Sequence, residues 1–178
     1  MANSGLTRRR GALKGQILRP CAKSGLNLLY NKIVELKYLP LQSEHLDAIL
    51  EIENQSFPKP WSRGMFEREL SLPISNFFTV YRGDVIIGYG GFWRVEDEAH
   101  LINIAVHPKY RTKGYGRKIL DFLTSVMTKQ GLKKILLEVR KNNQMALGLY
   151  GSFGFKTIGL REKYYDNVED ALLMEKSL

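Results

Sequence analysis

A carboxylate and a phenol twelve residues apart could share acid–base work in this chain. Glu138 interrupts the apolar run K-I-L-L-E-V-R at 134–140. A glutamate there either turns out of the strand end into an ion pair or sits partly desolvated in a cleft, where it can accept a proton. Tyr150 lies beside the Ala146, Leu149 and Phe153 stripe of a short helix that returns to the same sheet. Such a tyrosine ordinarily packs and finds a backbone partner for its hydroxyl. Acylation of an amine needs both groups, one to take a proton from the ammonium and the other to give one to the leaving group.

A second chemical signal is the stretch N-I-A-V-H-P-K-Y-R-T-K-G-Y-G at 103–116, which runs directly into an amphipathic helix. The first turn of a helix carries N–H groups without internal partners and the positive end of the peptide dipoles, so it suits an anion. Gly114 and Gly116 let a diphosphate approach the backbone without meeting a Cβ. Arg111, Lys113, Arg117 and Lys118 add positive charge. The third glycine of a dinucleotide fingerprint would fall on Ile119, and no Gly-Lys-Ser/Thr follows, so neither a Rossmann site nor a P-loop fits. For the two glycines alone, a flexible basic helix start is the plainer reading.

The elements that must position these residues follow from hydrophobic periodicity. A first strand is expected at 33–38. Ser43 can cap a helix to Gln55, and Ser62 a short helix to Leu70 carrying Met65 and Phe66 inward. Between them F-P-K-P-W-S at 57–62 is a rigid connector. Strands follow at 76–81, 85–93 and 100–107. The helix at 116–130 presents Ile119, Leu120, Leu123, Val126 and Met127 on one face, with Gly131 as its stop. The run at 134–140 reads as a strand covered on both faces. Asn142 or Asn143 caps a helix to Phe153, and two strands at 155–164 and 168–175 flank Tyr165-Asp166-Asn167. The pattern is one mixed α/β domain.

With 178 residues and 44% hydrophobic content the chain can bury a sizeable core. No apolar run approaches the ~20 residues that span a bilayer. The net charge of +9 is concentrated at the start: seven basic side chains and no acid up to residue 34, leaving 20 basic against 18 acidic in the remainder. Such a leader at 1–32 suits an organellar transit peptide, an arm that contacts ribosome or RNA, or a solvated extension. Cys21 is the one cysteine, so no internal disulfide forms, and no metal-ligand spacing is present around His45, His100 or His107.

Taken whole, Arg111-Thr112-Lys113-Gly114-Tyr115-Gly116 resembles the R/Q-x-x-G-x-G/A signature of the GCN5-related N-acetyltransferases (GNAT). L-E-V-R-K-N-N-Q-M-A-L-G-L-Y-G-S-F-G-F at 137–155, N-I-A-V-H-P, F-P-K-P-W-S and K-Y-Y-D-N-V-E-D-A-L-L-M at 163–174 are similar to the ribosomal-protein-alanine N-acetyltransferases of RimI type within it. The match covers 33–178. It implies a single GNAT domain: a mostly antiparallel sheet of about seven strands with about four helices, splayed in the middle to admit acetyl-CoA.

By motif position the resemblance implies Glu138 as general base and Tyr150 as general acid. The backbone of Ile104, Ala105 and Val106 would hold the acetyl and pantetheine part of the cofactor. Thr112, Lys113, Gly114, Tyr115, Gly116 and Arg117 would hold its pyrophosphate, together with Arg111, and Asn143 would touch the pantetheine arm. Phe57 and Trp61 on one side and Tyr164 and Tyr165 on the other would wall a peptide groove. His107 stands where the family commonly has Asp, which bears on peptide preference rather than chemistry.

The expected reaction is direct transfer of acetyl, without a metal, to the α-amine of a protein N-terminus, the alanine of a small-subunit ribosomal protein, by a cytoplasmic monomer. Acetylation of a lysine or small amine, and a ribosome-tethered module acting through the leader, are the alternatives. An α-amine with pKa near 8 is roughly a tenth neutral at pH 7, whereas a lysine near 10.4 is neutral at a few parts in ten thousand. A modest base suffices only for the first.

Overall fold

In the computed structural model, which describes residues 35–178, these patterns become seven strands and four helices. The leader at 1–32 with Cys21, and Ile33 and Val34 of the expected first strand, lie outside the described residues. The strands are β1 (Leu36–Pro40), β2 (Ser75–Arg82), β3 (Val85–Val95), β4 (Glu98–Val106), β5 (Lys134–Arg140), β6 (Lys156–Tyr165) and β7 (Glu169–Ser177). The helices are α1 (Leu46–Asn54), α2 (Arg63–Ser71), α3 (Tyr115–Lys129) and α4 (Gln144–Ser152). The strands form one sheet of order β1-β2-β3-β4-β5-β7-β6, in which β4 and β5 alone run parallel.

Each face of the sheet has its own core. Ile119, Leu120, Leu123 and Met127 of α3 pack on Phe92, Leu101, Ile135, Leu137 and Val139, with α4 leaning on the same side. On the other face Leu46, Ile49 and Ile52 of α1 and Phe66 of α2 cover Phe77, Tyr89 and Ala105. Gly90 lets α3 come close, since a Cβ there would stand 3.0 Å from the Leu123 Cδ1 and 3.1 Å from the Ile119 Cγ2.

Gly91 faces the opposite layer, where an added Cβ would meet the Phe77 ring at 2.3 to 2.5 Å. That ring is 6% exposed and cannot swing into solvent. Gly91→Ala is therefore expected to cost about 2–3 kcal/mol, the upper range for overpacking, as a lowered urea midpoint.

Several expectations shift. The first strand extends through Pro40, because β1 is an edge strand where a missing N–H is tolerated. The helix expected from Ser43 begins as a 3₁₀ turn, Ser43–His45, because Gln42 and not Ser43 is its cap; the backbone N–H of Gln42 donates to His45 Nδ1 at 3.2 Å. Ser62 does cap α2 by accepting from the Met65 N–H, and Phe66 is buried, but Met65 is 45% exposed. The inward face of α2 is carried by Phe66 and Glu69, three positions apart, and Met65 falls outside that narrow stripe. The β5 strand is sealed on one face only: Ile135, Leu137 and Val139 are buried, while Leu136 and Glu138 are half-buried.

The break in the sheet is built by β4 and β5. They pair from Glu98↔Lys134 to Leu101↔Leu137 and no further. Opposite Gly91 and Phe92, β4 carries a bulge at Ile102, so that Leu101 and Ile104 pack toward α3 while Ile102 and Ala105 pack toward α1. A bulge bends and overtwists its strand. Beyond it β4 keeps β3 as partner through Val106↔Gly88, and β5 keeps β7 through Arg140↔Ala171. The two inner edges are left facing each other across a wedge.

Candidate active site

The wedge opens into a cavity of about 710 Å³ lined by Asn103, Ile104, Glu138, Asn143, Ala146, Tyr150 and the aromatics discussed below. Glu138 is the first β5 residue past the last pair with β4, and its alternation with Leu137 and Val139 puts it on the α1 face of the sheet. Tyr150 comes from α4 on the opposite face, packed against Phe155 with ring centroids 5.5 Å apart. The acid–base pair expected from the sequence thus lines one cavity from two sides of the sheet. The Glu138 Oε1 lies 3.3 Å from Arg161 Nη1, and its main-chain oxygen accepts from the Tyr165 hydroxyl at 3.3 Å.

Ile104, Ala105 and Val106 lie on the β4 edge that has no strand partner toward β5. The His107 N–H donates to the Ile87 carbonyl, so by strand alternation Ala105 bonds toward β3 while the N–H groups of Ile104 and Val106 and the Ile104 carbonyl turn to the wedge, open to an extended ligand as an added strand would be. At the head of the wedge the chain turns through Pro108–Tyr110 into α3, whose cap Gly114 has φ +79°; Thr112 has φ +61°. A Cβ on Gly114 would meet nothing within 4 Å, and one on Gly116 only Leu149 Cδ2 at 3.8 Å. The first N–H groups of a 15-residue helix therefore face a clear approach, and the turn fits a diphosphate.

The surrounding cations are differently employed than their charge alone suggests. Arg111 donates through Nε to the Val106 carbonyl at 2.9 Å and through Nη2 to Ser56 Oγ at 2.7 Å. Lys113 donates to the Lys109 carbonyl at 3.0 Å, and Arg117 to Ser152 Oγ at 2.6 Å with its guanidinium over Phe153. The Tyr115 side chain is buried in the core, so only its backbone faces the turn. Asn143 caps α4, accepting from the Ala146 N–H at 3.1 Å.

The connector and the β6–β7 hairpin stand on either side of the cavity mouth. Phe57, Lys59 and Trp61 line one side; Tyr164, Tyr165 and Asp166 line the other. Trp61 also plugs the core, tilted against Phe66 at 5.2 Å. Asp166 and Asn167, with φ of +59° and +57°, make the tight hairpin turn, a conformation Asp and Asn tolerate. Lys59 forms an ion pair with Asp166 across the mouth. Arg140 pairs with Glu169 and lies 4.1 Å from the Tyr165 ring centroid.

Burial, then the neighbouring Tyr165 phenol, pushes Tyr150 up to about 12. Burial and then the Tyr164 phenol push Tyr165 also to about 12, with Arg140 opposing. Both folded values lie above the unfolded value near 10. The stabilisation they report is thus complete below pH ~10 and lost as pH rises through the folded values. The thermal midpoint, followed by circular dichroism, is expected to hold to about pH 10 and fall between there and about pH 12.

Sequence reasoning missed Arg161 beside Glu138, and a buried group on the opposite wall. Glu53 is 1% exposed, accepting from the Trp61 N–H at 3.0 Å and from the Tyr89 hydroxyl. Asn103 Nδ2 donates to that hydroxyl at 3.0 Å. A signal existed: Glu53 continues the Leu46, Ile49, Leu50 face of α1, where a carboxylate needs a reason.

The profile of the Acetyltransferase (GNAT) family matches residues 46–155. The chain is 36% identical over 137 residues to the [ribosomal protein bS18]-alanine N-acetyltransferase of Escherichia coli K12, across 75% of this chain and 92% of that protein. The protein of the same name from Salmonella typhimurium LT2 is 34% identical over 142 residues, across 75% and 92%. The crystal structure of the ribosomal-protein-S18-alanine N-acetyltransferase from Escherichia coli superposes with a TM-score of 0.75 at 32% identity, covering 80% of this chain and 94% of that one.

Proposed function

The chain belongs to the GNAT acetyltransferases and, within them, to the ribosomal-protein-alanine N-acetyltransferases, and from that premise we propose how its residues divide the work. It transfers acetyl from acetyl-CoA to the α-amine of a protein N-terminus, the alanine of a small-subunit ribosomal protein. The observation that carries the assignment of roles is the wedge itself, with Glu138 and Tyr150 lining one cavity beside the unpaired edge of β4.

The bound thioester supplies an activated acetyl carbonyl and a thiolate leaving group. The backbone of the segment Ile104, Ala105 and Val106 holds the pantetheine arm and carbonyl in the wedge, through the outward N–H groups of Ile104 and Val106. The open backbone at 112–117 takes the pyrophosphate at the head of α3. Arg111 serves by bracing that turn against Val106 and Ser56. Asn143 fixes the start of α4 beside the arm.

Phe57 and Trp61 with Tyr164 and Tyr165 guide a peptide end between connector and hairpin. Glu138 takes a proton from the ammonium, directly or through water, so that the amine can attack. Tyr150, protonated throughout the neutral range, gives its proton to the departing sulfur, and the second proton shed by the nitrogen as the C–S bond breaks and the amide forms returns through water to the phenolate. Transfer is direct, in a ternary complex. The enzyme works as a cytoplasmic monomer.

Incubation with acetyl-CoA and an alanine-initiated peptide is expected to release free thiol, and the same peptide with a blocked α-amine none. Equal release from both, or faster turnover of a polyamine, would sink the reading.

A further inference from the structure

We infer that Glu53 is a positioning residue for peptide acetylation, tying the connector that walls the peptide groove to the strand that holds the thioester. The inference rests on the function proposed above for what the groove binds. It stands on its own for what holds the connector.

The connector between α1 and α2, residues 55–62, carries Phe57, Lys59 and Trp61 to the cavity mouth yet contains no regular backbone pairing of its own. Two ties run from it to β4. At its far end the Trp61 N–H donates to Glu53 Oε1, the Tyr89 hydroxyl donates to Glu53 Oε2, and Asn103 Nδ2 donates to the Tyr89 oxygen. Asn103 is the residue just past the β4 bulge, directly before Ile104, Ala105 and Val106. At its near end Ser56 Oγ donates to the Ile52 carbonyl at 2.6 Å and accepts from Arg111, which also holds the Val106 carbonyl. The connector is thus fastened to both ends of the β4 segment that faces the wedge.

Glu53 is the costly part of this arrangement. A carboxylate 1% exposed is unfavourable unless its oxygens are bonded. Here each oxygen takes one donor, and those bonds only partly offset the effect of burial, which raises the carboxyl above the ordinary glutamate range. An aliphatic residue would have filled the α1–β3 layer beside Phe66 and Tyr89 without that cost. The geometry gains something an aliphatic residue could not supply: a fixed distance between the wall that meets the peptide and the edge that meets the thioester. Misplacement of bound partners by about 1 Å can cost about 10²-fold in rate.

Two variants separate positioning from simple stability. Glu53→Gln keeps the shape but turns an N–H toward the Tyr89 hydroxyl, and Tyr89→Phe keeps the ring against Phe66 while cutting Glu53 from Asn103. In both, the KM for an alanine-initiated peptide is expected to rise about tenfold, the equivalent of one bond to a charged group. The KM for acetyl-CoA should stay within about twofold. In hydrogen exchange, the Trp61 amide should exchange about tenfold faster in Glu53→Gln, with α3 unchanged.

A parallel rise in both KM values, or faster exchange with an unchanged peptide KM, would overturn the proposal. If the wild-type protein releases no thiol with any alanine peptide, the functional reading fails. The tie is then judged by exchange alone, and is overturned if the Trp61 amide of Glu53→Gln is as protected as wild type. Should Glu53→Gln fail to fold, Tyr89→Phe carries the kinetic test.

Discussion

Glu138→Gln is expected to lower kcat on an alanine-initiated peptide by about 10²- to 10³-fold at pH 7, within the range for loss of a general base. Gln keeps the volume and a carbonyl oxygen for Arg161, which at 51% exposure is otherwise served by water. Folding and acetyl-CoA binding should therefore persist. The informative part is the pH dependence. At pH 7 roughly a tenth of an α-amine with pKa near 8 is already neutral, and at pH 9 most of it is. The defect should accordingly shrink as pH rises, because solution does the work that Glu138 no longer does. A deficit that stays constant from pH 7 to pH 9 would assign Glu138 to binding or packing, and full activity at pH 7 would remove it from the chemistry.

Tyr150→Phe is expected to lower kcat by about 10- to 100-fold, at the lower end for an acid catalyst whose leaving group can also be protonated by water. The ring contact with Phe155 survives the change, so the melting temperature should move little. With the phenol pushed up to about 12, the wild-type rate should show no alkaline limb from this group below that pH. The KM for acetyl-CoA should stay put. A rise in KM with unchanged kcat would mean that the hydroxyl holds the cofactor and does not donate to sulfur.

Much of the framework was legible because local signals agreed with one another. The α3 stripe, the Gly131 stop, the Ser62 cap and the Asp166-Asn167 turn all stand where periodicity and turn chemistry put them. Glu138 stood out as one charge in an aliphatic run, and Tyr150 followed from the helix that returns to that run. What could not be read was long-range. The bulge at Ile102 arises from pairing with Gly91 and Phe92 on a neighbouring strand, and no residue near Ile102 announces it.

The same limit explains the cations. Arg111, Lys113 and Arg117 cluster in sequence as a phosphate site would, but Arg111 reaches across 55 positions to Ser56 and Arg117 across 35 to Ser152. Charge was legible; its partner was not. Met65 was expected inward with Phe66, but α2 buries only the Phe66 and Glu69 stripe and leaves Met65 on its solvent side. Glu53 went unread although it interrupts the apolar face of α1, and its meaning comes only with Tyr89 and Asn103 in place.

Tandem mass spectrometry of one product tests the account most directly. The substrate is a peptide beginning with alanine and carrying an internal lysine, incubated with the full chain and acetyl-CoA. Fragment ions should place a single acetyl group on the N-terminal alanine, with the lysine unmodified and no acetyl left on the enzyme. Acetyl on the lysine, or a stable acetyl-enzyme, would contradict direct transfer to an α-amine across the wedge between β4 and β5.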